Sequence, residues 1–201
     1  MLGQVSQAQG DYETARERYE EALAISSEEP DIWWLPYLLI DLGGLDKAQG
    51  DYAAALERFE EALAIWKERG GRKQTSYALV HLGRLAQSQG EYTAAQARYE
   101  EALALVQESE DWQSISSTLD QFALLAWSQD QLARALRLHG AAAALQGTAG
   151  ATLPPGTQNY LEDRRQKARQ ALGAEAADAA WAEGQALEPE EATAYALGED
   201  G

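Results

Sequence analysis

General acid–base chemistry needs a histidine or two carboxylates held together, and this 201-residue chain offers few candidates for either. Adjacent glutamates recur at Glu20-Glu21, Glu60-Glu61 and Glu100-Glu101, but pairs repeated identically read as a solvated helix face. His81 has no serine or aspartate at a recognisable spacing and reads as a groove or surface histidine. His139 stands where other copies of the same segment carry an aromatic ring, so it reads as a satisfied core residue. The two histidines lack HExxH-type spacing, and the absence of cysteine removes disulfides, thiolate nucleophiles and Cys-ligated zinc. No metal or cofactor is expected. Gly140, Gly147 and Gly150 follow a helix with no lysine after them, which is not a phosphate loop. The basic run Arg164, Arg165, Lys167 and Arg169 is offset by Glu162 and Asp163. Nothing here makes an enzyme.

The elements that would position any site come from an internal repeat. AQGDYETARERYEEALAI starts at Ala8, AQGDYAAALERFEEALAI at Ala48, SQGEYTAAQARYEEALAL at Ser88 and the divergent SQDQLARALRLHGAAAAL at Ser128, each 40 residues after the last. Gly10, Gly50 and Gly90 are placed to end one helix, and Asp11, Asp51 and Glu91 put negative charge at the start of the next. Ala15, Tyr19 and Ala22 recur as Ala55, Phe59 and Ala62 and as Ala95, Tyr99 and Ala102. Steps of four and three keep each trio on one helix face, with alanine permitting close approach beside a ring. The intervening segments, Asp31–Gln49, Arg72–Gln89 and Trp112–Gln129, supply the other helix of each unit. Tyr12, Tyr52 and Tyr92 repeat with the unit and are expected to pack, and Gly43-Gly44 to bend its helix.

With 33 acidic against 16 basic residues, the net charge of −17 disfavours binding to nucleic acid or an anionic membrane. The longest apolar stretch, Ile32–Ile40, is interrupted by Pro36 and cannot span a bilayer. The N-terminus has no secretion-signal layout. A cytoplasmic protein is expected.

Leu-Gly, an alanine twelve residues after that glycine, an aromatic four later and an alanine three later resembles the signature of the tetratricopeptide repeat (TPR) family. It is complete at Leu2-Gly3/Ala15/Tyr19/Ala22, Leu42-Gly43/Ala55/Phe59/Ala62 and Leu82-Gly83/Ala95/Tyr99/Ala102. The fourth copy keeps Ala135 and Ala142, with Ala123 for the glycine and His139 for the ring. Two features depart from the family: a 40-residue period where about 34 is usual, and Ser27, Lys67 and Gln107 where a proline usually closes each unit. The resemblance implies an all-α fold, a right-handed superhelix of antiparallel helix pairs forming a TPR-like solenoid, with a C-terminal helical cap. The units are placed at about 1–29, 30–70, 71–110 and 111–146, and the linker and cap at 147–201. Within the linker, Gly147, Gly150, Pro154, Pro155 and Gly156 mark the change in composition. Helices are expected over Thr157–Leu172, Ala174–Leu187 and after Pro189, their apolar face covering Leu136, His139 and Ala143.

The long period, LPPGTQNYLEDRRQKARQALG and AAWAEGQAL are similar to the C-terminal MalT-like sensor arms of bacterial signal-transduction (STAND) ATPases and LuxR-type regulators. The first unit starts late, so the natural protein is expected to extend further at its N-terminus. Projecting the family's geometry, the concave groove would be lined by Tyr37, Ile40, Asp41 and Lys47 in the second unit. The third would add Tyr77, Val80, His81, Arg84 and Gln87, and the fourth Asp120, Gln121, Leu124 and Trp127. The set lacks the Lys/Asn/Arg cluster of chaperone-tail-binding members. Trp33 and Trp34 occur in one unit only and form either a partner-binding edge or local core. The expected function is a non-catalytic protein–protein interaction module, the sensor arm of a larger signalling ATPase, holding a peptide, a protein or another domain of its parent in the groove. Self-association through the truncated first unit is a further expectation. The alternative is a sugar-like effector held by Tyr77, Asp120 and Trp127.

Overall fold

A computed structural model describes residues 12–26, 33–109, 111–148 and 155–199. The expectations on Leu2-Gly3, Gly10, Asp11, Gly150 and Pro154 lie outside these residues. The described chain is all-α, with ten helices: α1 (Tyr12–Ser26), α2 (Leu35–Gln49), α3 (Tyr52–Glu68), α4 (Arg72–Ser88), α5 (Tyr92–Val106), α6 (Trp112–Ser128), α7 (Leu132–Thr148), α8 (Pro155–Leu172), α9 (Ala174–Gln185) and α10 (Pro189–Leu197). It divides into two compact units, Met1–Glu91 and Tyr92–Gly201.

The repeat's punctuation works as local chemistry requires. The amides of Asp51, Glu91 and Gln131 donate to the carbonyls of Asp46, Ala86 and Ala126, five residues back, each closing the end of a helix. This closure needs a left-handed residue, supplied by Gly50 (φ 86°), Gly90 (φ 78°) and, in the divergent copy, Asp130 (φ 59°). The carboxylate of Asp51 then accepts from the Ala54 amide at 3.1 Å, and that of Asp111 from the Ser114 amide at 3.3 Å, capping α3 and α6.

In the first compact unit, Ala15, Tyr19, Leu38, Leu42 and Leu45 form one cluster joining α1 to α2. Helix α2 runs unbroken through Gly43 and Gly44 to Gln49. A Cβ on Gly43 would come within 2.5 Å of Phe59 Cε1, so the glycine makes room for the ring. Ala15, Ala55, Ala95 and Ala135 are all 0% exposed, as close helix contact demands. Tyr12 and Tyr52 are 40% and 36% exposed, which corrects their assignment as packing residues. They sit on the first turn of their helices, whereas Tyr92, at the same place on α5, is half-buried.

In the second unit, α7 continues to Thr148, so Gly147 is helical rather than part of a linker, and Pro155 and Gly156 open α8. Helix α9 lies tightly on α7: Cβ atoms built on Gly140 or Gly184 would collide with the backbone at Trp181 and Arg137, respectively. Leu136 of α7 forms a cluster with Ala168, Ala177 and Ala180 of α8 and α9, edged by Trp127 and Trp181. Helix α10 begins with a Glu188/Glu191 capping box around Pro189. Its C-terminal end is held by Arg134, whose Nη2 donates to the Ala196 carbonyl at 2.9 Å, and by Arg137 over the Tyr195 ring.

Candidate functional site

The first compact unit carries a run of rings in contact. Trp33, in the turn before α2, meets Tyr37 edge-on with centroids 6.4 Å apart, and Tyr37 meets Trp66 of α3 at 5.0 Å. Trp66 meets Tyr77 of α4 at 6.1 Å, Tyr77 meets His81 at 4.7 Å, and His81 meets Phe59 at 5.3 Å. Helical spacing makes the run possible: Tyr37 and Asp41 are one turn apart on α2, and Tyr77, His81 and Arg84 follow in steps of four and three on α4. Trp66 and Phe59 are buried and anchor the rings from beneath, whereas Trp33, Tyr37 and Tyr77 are 73%, 40% and 44% exposed. Edge-to-face contacts of this kind hold aromatic side chains in fixed orientations.

Charged groups border the rings. Burial, then the charges of Arg84 and Lys47, pull the His81 pKa down to about 3, so the imidazole is neutral at physiological pH. Burial and Arg84 likewise lower the Lys47 ammonium. Burial raises the Tyr77 phenol, with Asp41 adding to it and Arg84 opposing. Burial, followed by Asp41, pushes Tyr19 up to about 12. The imidazole thus stands beside two cations and the Tyr77 ring, and among the described residues no three His, Cys, Asp or Glu side chains gather as a metal site.

Several of the projected positions fall elsewhere. Ile40 and Val80 are 2% and 8% exposed and belong to the core. Trp34 packs against the α1–α2 cluster and is local core, whereas Trp33 is the exposed edge. Gln87 is half-buried on α4, and Leu124 is half-buried on α6.

In the second compact unit, Asp120 is occupied internally. Its Oδ1 lies 2.9 Å from His139 Nδ1, and its Oδ2 accepts from Gln146 Nε2 at 3.0 Å. His139 is 4% exposed, as a core position requires, but its Nε2 has no hydrogen-bond partner among the described residues. Only one of its two nitrogens is therefore satisfied. The Gln121 amide donates to the Ser117 carbonyl at 3.4 Å. Trp127 edges the α7–α8–α9 cluster, with the Arg164 guanidinium 5.4 Å from its ring centroid. The basic run is consumed in the same way: Arg165 and Arg169 pair with Asp178 at 3.5 and 3.1 Å, and Lys167 with Asp163 at 2.6 Å. The pairs to Asp178 join α8 to α9, whereas Lys167 and Asp163 lie one turn apart on α8.

Two features carry only a faint signal in the sequence. Trp66 links the two exposed tyrosines, and its only mark is a tryptophan at the position that holds Val106 and Gln146 in later copies. Asp46, 2% exposed, is clamped by Arg16 of α1 and Arg58 of α3, each 2.6 Å away. Its mark is an aspartate where later copies carry Ala86 and Ala126.

The tetratricopeptide repeat family model matches residues 1–68, 34–108 and 74–146. No curated protein sequence matches the chain. The crystal structure of BtubC (BKLC) from P. vanneervenii is similar, with a TM-score of 0.67 and 22% identity over 92% of this chain and 76% of that one. A Podosopora anserina structure of nearly identical TPR-like repeats, assigned to a kinesin light chain, has a TM-score of 0.62 and 19% identity over 92% of this chain and 90% of that one. At such identities the two structures speak for the fold, whereas the family match covers most of the chain. From its 40-residue helix pairs, its buried Ala/aromatic/Ala faces and that match, the chain belongs to the tetratricopeptide repeat family.

Proposed function

We propose that this chain is a non-catalytic interaction module that holds a peptide or protein segment against the ring face of its first compact unit. The observation that carries the reading is the unbroken contact from Trp33 to Phe59, with three exposed rings fixed over two buried ones. Rigid, half-exposed aromatics give large contact area at low entropic cost, and they dominate binding hot spots. TPR repeats generally mediate protein–protein contacts, which agrees with this use. The finer reading is a sensor arm in a larger bacterial signalling ATPase, whose partner is another domain of the same polypeptide. An upstream reading frame encoding a GxxxxGK[ST] nucleotide-binding loop would support it. The sugar-sensing alternative is disfavoured, because Asp120 spends both carboxylate oxygens on His139 and Gln146 and Trp127 stacks under Arg164.

The test is selection of random dodecamers, displayed on phage, against the full chain. Enriched peptides should bind the parent and lose at least about tenfold in affinity to Tyr37→Ala/Tyr77→Ala, with circular dichroism and melting showing that the variant still folds. Peptides that bind this variant as well as the parent, or no enrichment at all, would overturn the assignment of the ring face as the docking surface.

A further inference from the structure

We infer that the second compact unit holds a pocket for a small free monocarboxylate, its charge on Arg134 and the amides of Gln129 and Gln131 and its short alkyl stem on Phe122 and Leu125. The pocket belongs to α5, α6, α7 and the turn between the last two, and it shares no residue with the ring face. It stands apart from the proposed docking role.

A cleft of about 130 Å³ opens where the end of α6 turns into α7 beside the first turns of α5. It is small against the roughly 300–1,000 Å³ of pockets that take drug-sized ligands, so it suits a molecule of few atoms. Phe122 and Leu125 are buried and make an apolar floor, and Tyr99 meets Phe122 edge-on at 5.8 Å, which fixes the ring. Gln96, Gln129, Gln131 and Arg134 bring the polar groups. Arg134 is held in place from behind: its Nη2 donates to the Ala196 carbonyl at 2.9 Å, and its Cζ lies 5.8 Å from the Tyr195 ring centroid. It makes no ion pair with a described carboxylate.

The repeat shows what fills this place elsewhere. Two copies earlier, the positions of Gln96, Ala126 and Gln129 hold Arg16, Asp46 and Gln49, and there Arg16 Nη2 donates to Asp46 Oδ1 and Gln49 Oε1, each at 2.6 Å. The first unit thus occupies the place with its own guanidinium and carboxylate. In the second unit both are replaced and the charge is reversed. Gln131 stands where earlier copies have Asp51 and Glu91, and Arg134 where they have Ala54 and Ala94. The exchange surrenders a helix cap, since Asp51 accepts from the Ala54 amide at 3.1 Å and glutamine caps poorly. The carboxylates next to these residues are Asp130, in the turn, and Glu100, which accepts from Gln96 Nε2 at 2.8 Å, and neither lines the cleft. In a chain with 33 acidic residues against 16 basic, a pocket of one arginine, three amides and no lining acid selects an anion. A single cation matches one carboxylate, and the apolar floor asks for a short stem behind it.

NMR titration of the isotope-labelled full chain with sodium propionate or butyrate, against sodium chloride at equal ionic strength, tests this. The side-chain amide signals of Gln129 and Gln131 should shift and saturate at about millimolar acid. Propionamide, which keeps the stem and loses the charge, should leave them unmoved. Arg134→Gln should weaken binding at least about tenfold. Gln96→Arg/Ala126→Asp, which restores the first unit's residues, should keep the helical spectrum and abolish binding; should it unfold, Gln129→Glu/Gln131→Glu serves instead. Glutamate blocked at its α-amino and α-carboxyl groups stands for the acidic side chain of a protein. If it binds where propionate and butyrate do not, the carboxylate comes from a partner and the free-acid reading is overturned. Shifts that never saturate, that sodium chloride reproduces, or that survive unchanged in Arg134→Gln and in the restored variant overturn the pocket itself.

Discussion

His81 shows how one side chain couples the candidate site to stability. Folded, it is neutral down to a pKa of about 3, while in the unfolded chain it gains a proton near the ordinary value of 6.5. Between those values the unfolded state binds more protons, so stability contributed by the neutral ring is complete above pH 6.5 and drains away as pH falls toward 3. His81→Gln should therefore shrink the loss of urea midpoint between about pH 7.5 and about pH 4.5. An equal loss in the parent and the variant would mean that His81 is solvated and protonates freely. Gly43 makes the companion case in packing. Gly43→Ala improves helix propensity by up to about 1 kcal/mol, yet its Cβ meets the Phe59 ring at 2.5 Å. Overpacking of this kind costs about 1–3 kcal/mol, so the variant should melt lower. Adding Phe59→Leu should return part of the loss in a double-mutant cycle, and strict additivity would show that the ring and the glycine are uncoupled.

At the scale of elements, the legible part of the chain was whatever repeats. Ala15, Ala55, Ala95 and Ala135 could be read as contact points because each recurs every 40 residues, and all are fully buried. Ala95→Leu should accordingly lower the stability of the second unit by about 1–3 kcal/mol, measured by chemical denaturation with the m-value held; an unchanged midpoint would contradict the burial of that face. What repeats poorly was hard to read. Asp120, Gln121 and Trp127 were placed in the groove by analogy with earlier units, but the C-terminal helices and the polar pair Asp120–His139 claim that surface. The apolar face of α8 and α9 pointed to Leu136, which does pack with Ala168, Ala177 and Ala180, but gave no sign of how closely α9 approaches α7. The contact depends on Gly140 and Gly184 letting two backbones touch. Gly184→Ala sets a methyl against the Arg137 carbonyl, so α9 should unseat and Trp181 fluorescence should shift to longer wavelength. A spectrum identical to the parent's would mean that the two helices are not in backbone contact.

For the molecule as a whole, charge competes with itself. A net charge of −17 on 201 residues produces self-repulsion that salt screens within a Debye length of about 8–10 Å near physiological ionic strength. Salt also weakens favourable pairs, but several of those among the described residues are exposed, such as Arg18–Glu21 and Lys167–Asp163. Pairs of that kind contribute only about 0–1 kcal/mol each. The clamp at Asp46 differs, since its carboxylate is 2% exposed and its arginines lie 2.6 Å away, where mobile ions reach poorly. Repulsion should therefore dominate the salt response, and the melting temperature should rise between about 10 mM and about 300 mM sodium chloride. Asp46→Asn should lower the melting temperature at both concentrations by a similar amount, as expected for a local loss of about 1.5–3 kcal/mol from the charge-assisted hydrogen bond to Arg16. A melting temperature that falls with salt would place the balance in ion pairs rather than in net charge. A cost of Asp46→Asn that vanishes at high salt would show that the clamp is solvated.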